Sequence, residues 1–524
     1  MSADVNAADD TVADGLSVKS QRSIGAAVYV FLGLLVVLGR FPSLYFHFVD
    51  WDEAAIMAQS WAMSTGQVLY RDVAQIHPVL NFAIIVPFFR ALPPQMVPFA
   101  VKAMNLVLVF LGAVLVARIA LEWLESRWLA LLGGSIFAYY CSYLWAWSSY
   151  GEFYAIFPVL LSVWLLFFSV GLRAKSFVVG CLWAAAFFFK QVAVFDAAGL
   201  YLAYLYWNRV TLRVKTSATL YLTLGFLTVT AAVGVWFNAH GALWDAWNSM
   251  VIRPFLYTRS GDRWPAIVDL GGTALTDFSL SLPMFVGITS LLLRGRKPAS
   301  EACRSSVSFF IVLCLWLCSD LFAVASTGRA YPHYLLQIAP AASLLPLFVL
   351  RPLAERRPAL LLTVAVVIST LLTAALSVQF FATMRALALH GWIPAQVRAS
   401  NAAATFIRDH TARGDRIFLF KADNLDVFFL SQRLSNNGVY MFVDMAVEHM
   451  HDQNEQDRRR RAFLASPPAV IVVDPLYEQR GQARREVPRL VSLDFFESIL
   501  KSNYVHWATV EDLDLYVPAP RKVN

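Results

Sequence analysis

The feature that most constrains this chain is the recurrence of apolar runs long enough to cross a bilayer. After a polar, slightly acidic start (1–23), predominantly apolar stretches lie near 24–39, 97–117, 128–147, 153–171, 216–238, 267–293, 305–325, 334–350 and 358–381. A span needs about 17 to 25 apolar residues. The stretch 176–207 is long enough for two short spans meeting at Lys190-Gln191. The expectation is a polytopic α-helical membrane protein with about eleven transmembrane helices. Composition agrees: 58% of residues are apolar and 15% charged, against roughly 25% charged in a soluble protein. Such a chain cannot clothe a soluble surface. A soluble multidomain protein, a disordered chain and a nucleic-acid binder are excluded, and the net charge of +7 is not read as a nucleic-acid footprint.

Where the basic residues fall sets the orientation. Alternate short loops carry Arg118 and Arg127; Arg173 and Lys175; Arg209, Arg213 and Lys215; Arg294, Arg296, Lys297 and Arg304; and Arg351, Arg356 and Arg357. The intervening loops are poorer in Lys and Arg. The positive-inside rule places the N-terminus in the cytoplasm and the loop 41–96 and everything after 382 outside. The run 79–92 is too short for a span and is divided by Pro87; it reads as a helix lying at the outer surface. No small-residue cleavage site follows the first apolar run, so it reads as an uncleaved span.

Beyond about 383 charges return and long apolar runs stop. Short apolar segments at Arg416–Phe420, Val439–Val443 and Ala469–Val473 read as strands, with helices near 396–410, 446–464 and 488–501. The division is therefore a tail (1–23), a membrane domain (24–382) with its first outer loop (41–96), and a small extracytoplasmic α/β domain (383–524). The run Arg458 to Arg461 reads as a solvated helix face, with lipid headgroups or a charged acceptor as the sharper alternative. The five cysteines, Cys141, Cys181, Cys303, Cys314 and Cys318, all fall in or beside the membrane segments, so no disulfide framework is expected outside. No P-loop, GxGxxG or zinc spacing is present.

Chemistry-bearing residues gather on the outer face. Asp50, Asp52 and Glu53 fall within four positions just after the first span. Such a cluster is either a solvated helix N-terminus or a site compensated by a cation, a base or protonation. Glu152 stands in a short outer loop, Ser148-Ser149-Tyr150-Gly151-Glu152, and Lys190 interrupts an apolar run on the same face. A charge in that place is a functional candidate, with snorkelling as the bland alternative. Tyr70-Arg71-Asp72 precedes His77-Pro78, and Thr327-Gly328-Arg329-Ala330-Tyr331-Pro332-His333-Tyr334 forms a further outer loop whose Arg329 and His333 suit a phosphate. Asp196, Lys102 and Asp320 also lie near spans and receive no role. Acids that could deprotonate a hydroxyl or hold a metal, beside bases that could hold a phosphate, suit an amphiphilic, phosphate-bearing substrate.

In these motifs the chain resembles the polyprenyl-phosphate-dependent integral-membrane glycosyltransferases of the C-type fold. Its likeness is to the branch of protein O-mannosyltransferases and bacterial aminoarabinose transferases (glycosyltransferase family 39-like). The family's D-x-D-E, G-x-x-L-Y-x-D and K-P-P-L correspond here to Asp50-Trp51-Asp52-Glu53, Gly66-Gln67-Val68-Leu69-Tyr70-Arg71-Asp72 and His77-Pro78-Val79-Leu80. The likeness continues through Glu152, Phe189-Lys190-Gln191, Arg329 to Tyr334 with Pro340, and Pro467-Pro468-Ala469-Val470-Ile471-Val472.

The resemblance implies an inverting transfer of a sugar from a polyprenyl-phosphate donor to an envelope glycan or glycolipid. Transfer would take place at the outer face of a bacterial cytoplasmic membrane. It implies Asp52 as general base, with Glu53 and Glu152 orienting the acceptor. Lys190, Arg329, His333 and His77 would bind the donor phosphate, and Asp50, Tyr70, Asp72 and Tyr331 the acceptor or sugar. Asp52 and Glu152 are the candidate ligands of a divalent cation (Mg, Mn or Zn). The partners expected are the donor, the acceptor and membrane lipids, with no nucleic acid. His77 departs from the family's lysine and Val79 from its second proline, which puts a lysine-like role at 77 in question. A transporter or lipid flippase is the rival class; it would place charges near the bilayer midplane and show paired halves.

Overall fold

The computed structural model describes residues 25–45, 51–143, 147–168, 173–207, 212–259, 268–269, 272, 301–328, 331–391, 395–440, 453–475, 477 and 493–520. The chain is a polytopic helical membrane protein with a small C-terminal domain built on a β-sheet. The principal helices of the membrane part are α1 (Ala26–Tyr45), α2 (Trp51–Ser64), α3 (Val97–Leu124), α4 (Arg127–Tyr143), α5 (Gly151–Phe168), α6 (Arg173–Phe189), α7 (Ala193–Trp207), α8 (Leu212–Ala239), α9 (Glu301–Ser326), α10 (Ala339–Arg356) and α11 (Pro358–His390).

Among the described residues seven helical stretches are long and apolar enough to cross a membrane: Ala26–Tyr45, Pro94–Leu124, Gly151–Phe168, Leu212–Ala239, Phe309–Ser326, Pro332–Arg356 and Pro358–Leu389. Helices α4, α6 and α7 are shorter, at 17, 17 and 15 residues. The apolar run at 267–293 lies largely outside the described residues. The surface segment is a broken pair, Leu80–Ala83 and Val86–Ala91, because Pro87 starts the second piece rather than continuing the first.

Two packing centres organise the membrane part. One joins α1, α3, α4, α5, α9 and α10, with Trp316, Tyr140, Phe137 and Phe153 fully enclosed. The other runs from α2 and the surface helices into the C-terminal domain, through Phe82, Leu69, Phe428 and Val472. Helices α6 and α8 cross closely at Gly180 and Gly225. A methyl on either would lie 2.0 Å from a backbone carbonyl of the other helix, so the crossing exists only because both positions lack a side chain.

Helix α11 continues to His390, so the boundary expected at 382 falls within a helix that carries the chain to the outer domain. There α12 (Ala395–His410), α13 (Gln453–Ala465) and α14 (Leu493–Asn503) accompany five strands, β1 (Arg416–Phe420), β2 (Leu434–Ser435), β3 (Val470–Val473), β4 (Tyr504–Val510) and β5 (Leu513–Pro518). The sheet order is β2-β1-β3-β5-β4. β1 pairs parallel with β2 and β3, Ile417 opposite Val470, and β5 is antiparallel to β3 and β4. The continuous apolar runs of β1 and β3 fit central strands buried on both faces.

The strand expected at Val439–Val443 does not form at its described positions. Val439 and Tyr440 are irregular and buried, and the Tyr440 hydroxyl donates to Gln67 Oε1 at 2.9 Å. Val439 packs among Phe418, Phe463 and Ile471 of the outer domain, and Tyr440 turns toward the first outer loop instead of pairing in the sheet. Positions 441–443 lie outside the described residues.

Candidate functional site

The acidic cluster after α1 is divided by the helical turn. Asp52 and Glu53 are the first acids of α2, where the helix dipole favours negative charge, but successive residues point about 100° apart on a helix. Glu53 faces inward and is fully buried, whereas Asp52 is half-buried. Asp50 lies outside the described residues.

Glu53 is held by α3 and the segment before α5. Lys102 Nζ donates to its Oε2 at 2.7 Å, and Ser149 donates to Oε1 through its N–H at 3.1 Å and its hydroxyl at 2.9 Å. Lys102 also donates to the carbonyl of Trp147 at 2.6 Å. Asn105 Nδ2 donates to Ser149 Oγ at 3.0 Å, and Asn105 Oδ1 accepts from the Tyr154 hydroxyl at 3.0 Å. Arg40 of α1, also fully buried, lies over the Phe153 ring and adds positive charge near Glu53. Glu53 thus ties the start of α2 to α3 and to the segment before α5.

A second cluster forms where α5 begins and α6 ends. Glu152 sits in the first turn of α5 and Lys190 directly follows the last residue of α6, so both helix dipoles suit the charges beside them. Their side chains pair at 2.6 Å. The two helix ends come this close because position 151 is glycine: a methyl there would lie 2.4 Å from the carbonyl of Phe189. His333 Nε2 is 3.9 Å from Glu152 Oε1, and Lys190 Nζ lies 5.1 Å from the centre of the Tyr334 ring. Tyr150 stacks on His333 with centroids 4.1 Å apart, and Tyr331 lies parallel to the same imidazole at 5.6 Å. Tyr331 is 44% exposed, so the stack ends on an open ring face.

His77 joins this cluster from the first outer loop. Burial, and then the nearby Lys190 charge, depress its imidazole to about 3. At neutral pH His77 is therefore uncharged, a neutral hydrogen-bonding group where a lysine would be a cation.

Tyr70 and Asp72 stand in the first outer loop, next to the C-terminal domain. Tyr70 has a positive φ of 72° and donates its hydroxyl to the His77 carbonyl at 2.8 Å. Asp72 accepts from the Val68 N–H at 2.8 Å and pairs with Arg71. Burial pushes the Asp72 carboxyl up, but Arg71 and the Val68 N–H together bring it below the usual range. Both residues belong to a knot gripped by the outer domain. Arg459 donates to the carbonyls of Asp72, Asn437, Arg71 and Tyr70 at 3.0 to 3.4 Å. The arginine run is therefore not a uniformly solvated face: Arg459 is 6% exposed and Arg458 pairs with Asp245 at 3.4 Å.

The structure brings together Glu152, Lys190, His333, His77 and Tyr331, and places Asp52 beside the neighbouring Glu53 cluster. Arg329 lies outside the described residues. Among the described residues no three His, Cys, Asp or Glu side chains gather as a metal site, and Glu152, one candidate ligand, is engaged by an ammonium. Sequence reasoning passed over Lys102, Arg40, Asn105 and Ser149. Lys102 carried a legible signal, a lone charge in the second turn of a long apolar helix.

No protein-family model matches the chain, and no curated protein matches it by sequence. Solved structures do match in shape. ArnT from Cupriavidus metallidurans bound to undecaprenyl phosphate superposes with a TM-score of 0.59 at 11% identity, covering 95% of this chain and 99% of that one. The apo form of the same enzyme gives 0.57 at 12% identity over 94% and 98%. The chain has the C-type glycosyltransferase fold. The archaeal oligosaccharyltransferase AglB from Archaeoglobus fulgidus, in complex with an inhibitory peptide and a dolichol-phosphate, gives 0.51 at 10% identity over 95% of this chain and 74% of that chain. The likeness to both spans the membrane part and the outer domain.

Proposed function

We propose that this protein is an inverting glycosyltransferase that moves a sugar from a polyprenyl-phosphate-linked donor to a hydroxyl of an envelope glycan or glycolipid. The reaction takes place at the outer face of a bacterial cytoplasmic membrane, with eleven crossings, a cytoplasmic N-terminus and the domain after His390 outside. The observation that carries this reading is the buried Lys190–Glu152 pair with His333 and His77, set in a fold shared over 95% of the chain with an enzyme holding undecaprenyl phosphate.

The donor phosphate meets Lys190, His333 and His77, with Arg329 from the same outer loop as His333. Lys190 contributes a fixed charge and His77 a neutral N–H. Asp52, half-buried at the start of α2, takes the proton of the acceptor hydroxyl. The acceptor oxygen attacks the anomeric carbon opposite the phosphate. The sugar–oxygen bond breaks with its electron pair on the phosphate oxygen, and polyprenyl phosphate leaves. Charge stabilisation at that oxygen by preorganised donors is the main electrostatic contribution. Glu53 acts through Asp52 by holding the helix start, and the open face of Tyr331 offers a platform for a sugar ring.

The test measures acceptor-dependent release of polyprenyl phosphate by the purified protein, wild type against Asp52→Asn. Loss of a positioned general base costs about 10²- to 10⁴-fold. Equal release by both proteins removes Asp52 as base. Absence of release with any donor sugar removes the transferase reading.

A further inference from the structure

Behind the Lys190–Glu152 pair lies a second, deeper group of acids for which the reaction above has no use. Asp196 of α7 and Asp320 of α9 are 2% and 0% exposed, and their carboxyl groups face each other. Gln337 Nε2 donates to Asp196 Oδ2 at 2.7 Å. Among the described residues Asp196 Oδ1, Asp320 Oδ1 and Asp320 Oδ2 have no hydrogen-bond partner within 3.5 Å, although the Trp316 indole lies close to both carboxyls. Two adjacent carboxylates without a cation cannot both stay ionised inside packed apolar helices, where each bare charge costs several kcal/mol. A proton between them satisfies the facing oxygens and leaves one negative charge.

The pair is not isolated from the site. A cavity of about 10 Å³ is lined by Asp196, Gln337 and Trp316 on one side and by Glu152 and Lys190 on the other. That is the lower limit for one water. The charged and titratable groups facing the pair are Lys190 and Glu152 across this cavity, His333 and His77 beyond them, and Cys318 on α9. Among the described residues, with Lys190 paired to Glu152, the acid pair carries the surplus charge, a single negative one. An anion that claims Lys190 adds a second negative charge to a buried cluster. A second proton on the pair removes it and leaves two neutral carboxylic acids bonded to each other.

We propose that Asp196 and Asp320 share one proton in the ligand-free protein and take up a second when an anionic phosphate occupies Lys190. They are a proton-linked counter-charge to the phosphate site. The inference rests on Lys190 being a phosphate ligand, as proposed above. Asp196 and Asp320 are positioning residues that touch no reacting atom.

The experiment uses the full chain in detergent with undecaprenyl phosphate as the probe. Infrared spectra in water and heavy water read the carbonyl stretch of a protonated carboxyl at pH 7. Calorimetry in buffers of different ionisation enthalpy reads protons taken up on binding. The expected result is a protonated-carboxyl band in the wild type that grows on binding, with uptake of about one proton and affinity tightening roughly tenfold for each pH unit lowered. In Asp196→Asn/Asp320→Asn, which mimics the fully protonated pair, the band falls to the share contributed by Asp426, its growth on binding and that uptake are lost, and affinity follows pH only through the phosphate's own ionisation. If the double variant does not fold, Asp320→Asn alone is compared with wild type for the growth of the band on binding. Equal uptake in wild type and double variant assigns the proton to Glu152, His77, His333 or the phosphate and overturns the inference. A band that does not grow on binding, with stability that depends on added Na⁺, Mg²⁺ or Ca²⁺, makes the pair a cation site and overturns it as well. If undecaprenyl phosphate does not bind, the donor-site reading fails and this coupling fails with it; binding without differential uptake removes the coupling alone.

Discussion

Arg459 Nη1 donates to the backbone carbonyl of Asp72 at 3.2 Å, across 387 positions of sequence, and through that grip the outer domain holds the first outer loop against the membrane part. Its other donors take the carbonyls of Tyr70, Arg71 and Asn437. A planar fork of fixed N–H directions serves several carbonyls at once, and an ammonium does not. Arg459→Met is expected to leave these carbonyls unsatisfied, each costing about 1–3 kcal/mol if no water replaces the donor. Arg459→Lys is expected to recover little. Limited proteolysis near residues 440–453 and thermal unfolding in detergent measure both.

Gly438 makes the same contact sterically. Its φ is +75°, and a methyl there would lie 1.9 Å from the Asp72 carbonyl oxygen. Gly438→Ala is expected to push the outer domain off the loop, lowering the unfolding temperature and exposing the 70–72 segment to protease. Gly414→Ala, a position with open space, is the control and should leave both unchanged.

The Glu53–Lys102 pair is buried at both ends. Removing one partner strands the other, and breaking such a pair costs about 3–5 kcal/mol. Lys102→Met should therefore destabilise strongly, and Lys102→Met with Glu53→Gln should recover part of the loss. A double-mutant cycle by chemical denaturation in mixed micelles reads the coupling, and additive losses would show that the pair contributes nothing of its own.

In the outer domain, burial pushes the Asp426 carboxyl up to about 7. The folded state then holds a proton that the unfolded chain releases above its ordinary value of 3.8. Stability from this group is present below the unfolded value, falls as pH rises from there toward 7, and is level above. Asp426→Asn should raise thermal stability at pH 8 and change it little at pH 4. A variant that gains equally at both pH values would show that the carboxyl does not titrate in this window.

The membrane helices were legible in the sequence because length and hydrophobicity alone specify them, and β1 and β3 because buried parallel strands read as unbroken apolar runs. The hairpin β4–β5 went unread although Tyr504–Val510 and Leu513–Pro518 flank a turn at Glu511 with φ 53°. Its strands mix polar and apolar residues with no run to mark them. Glu152, Lys190 and His333 were legible as charges at the outer ends of spans. The partner of Glu53 was not, since nothing in the sequence says which of several lone charges a carboxylate will meet. Arg459 was hidden for a related reason: a guanidinium that binds backbone carbonyls leaves no complementary residue type to look for.

The chain from Ser149 to Glu152 ties the two clusters together. Ser149 is fastened to Glu53 by both its N–H and its hydroxyl, and three residues later Glu152 is fastened to Lys190. Three residues reach at most about 11 Å when fully extended. This short tether is a molecular ruler: it limits the spacing between the start of the Asp52 helix and the Lys190–Glu152 pair. Any opening or closing of this face must carry both as one piece, with the compliance supplied by other loops.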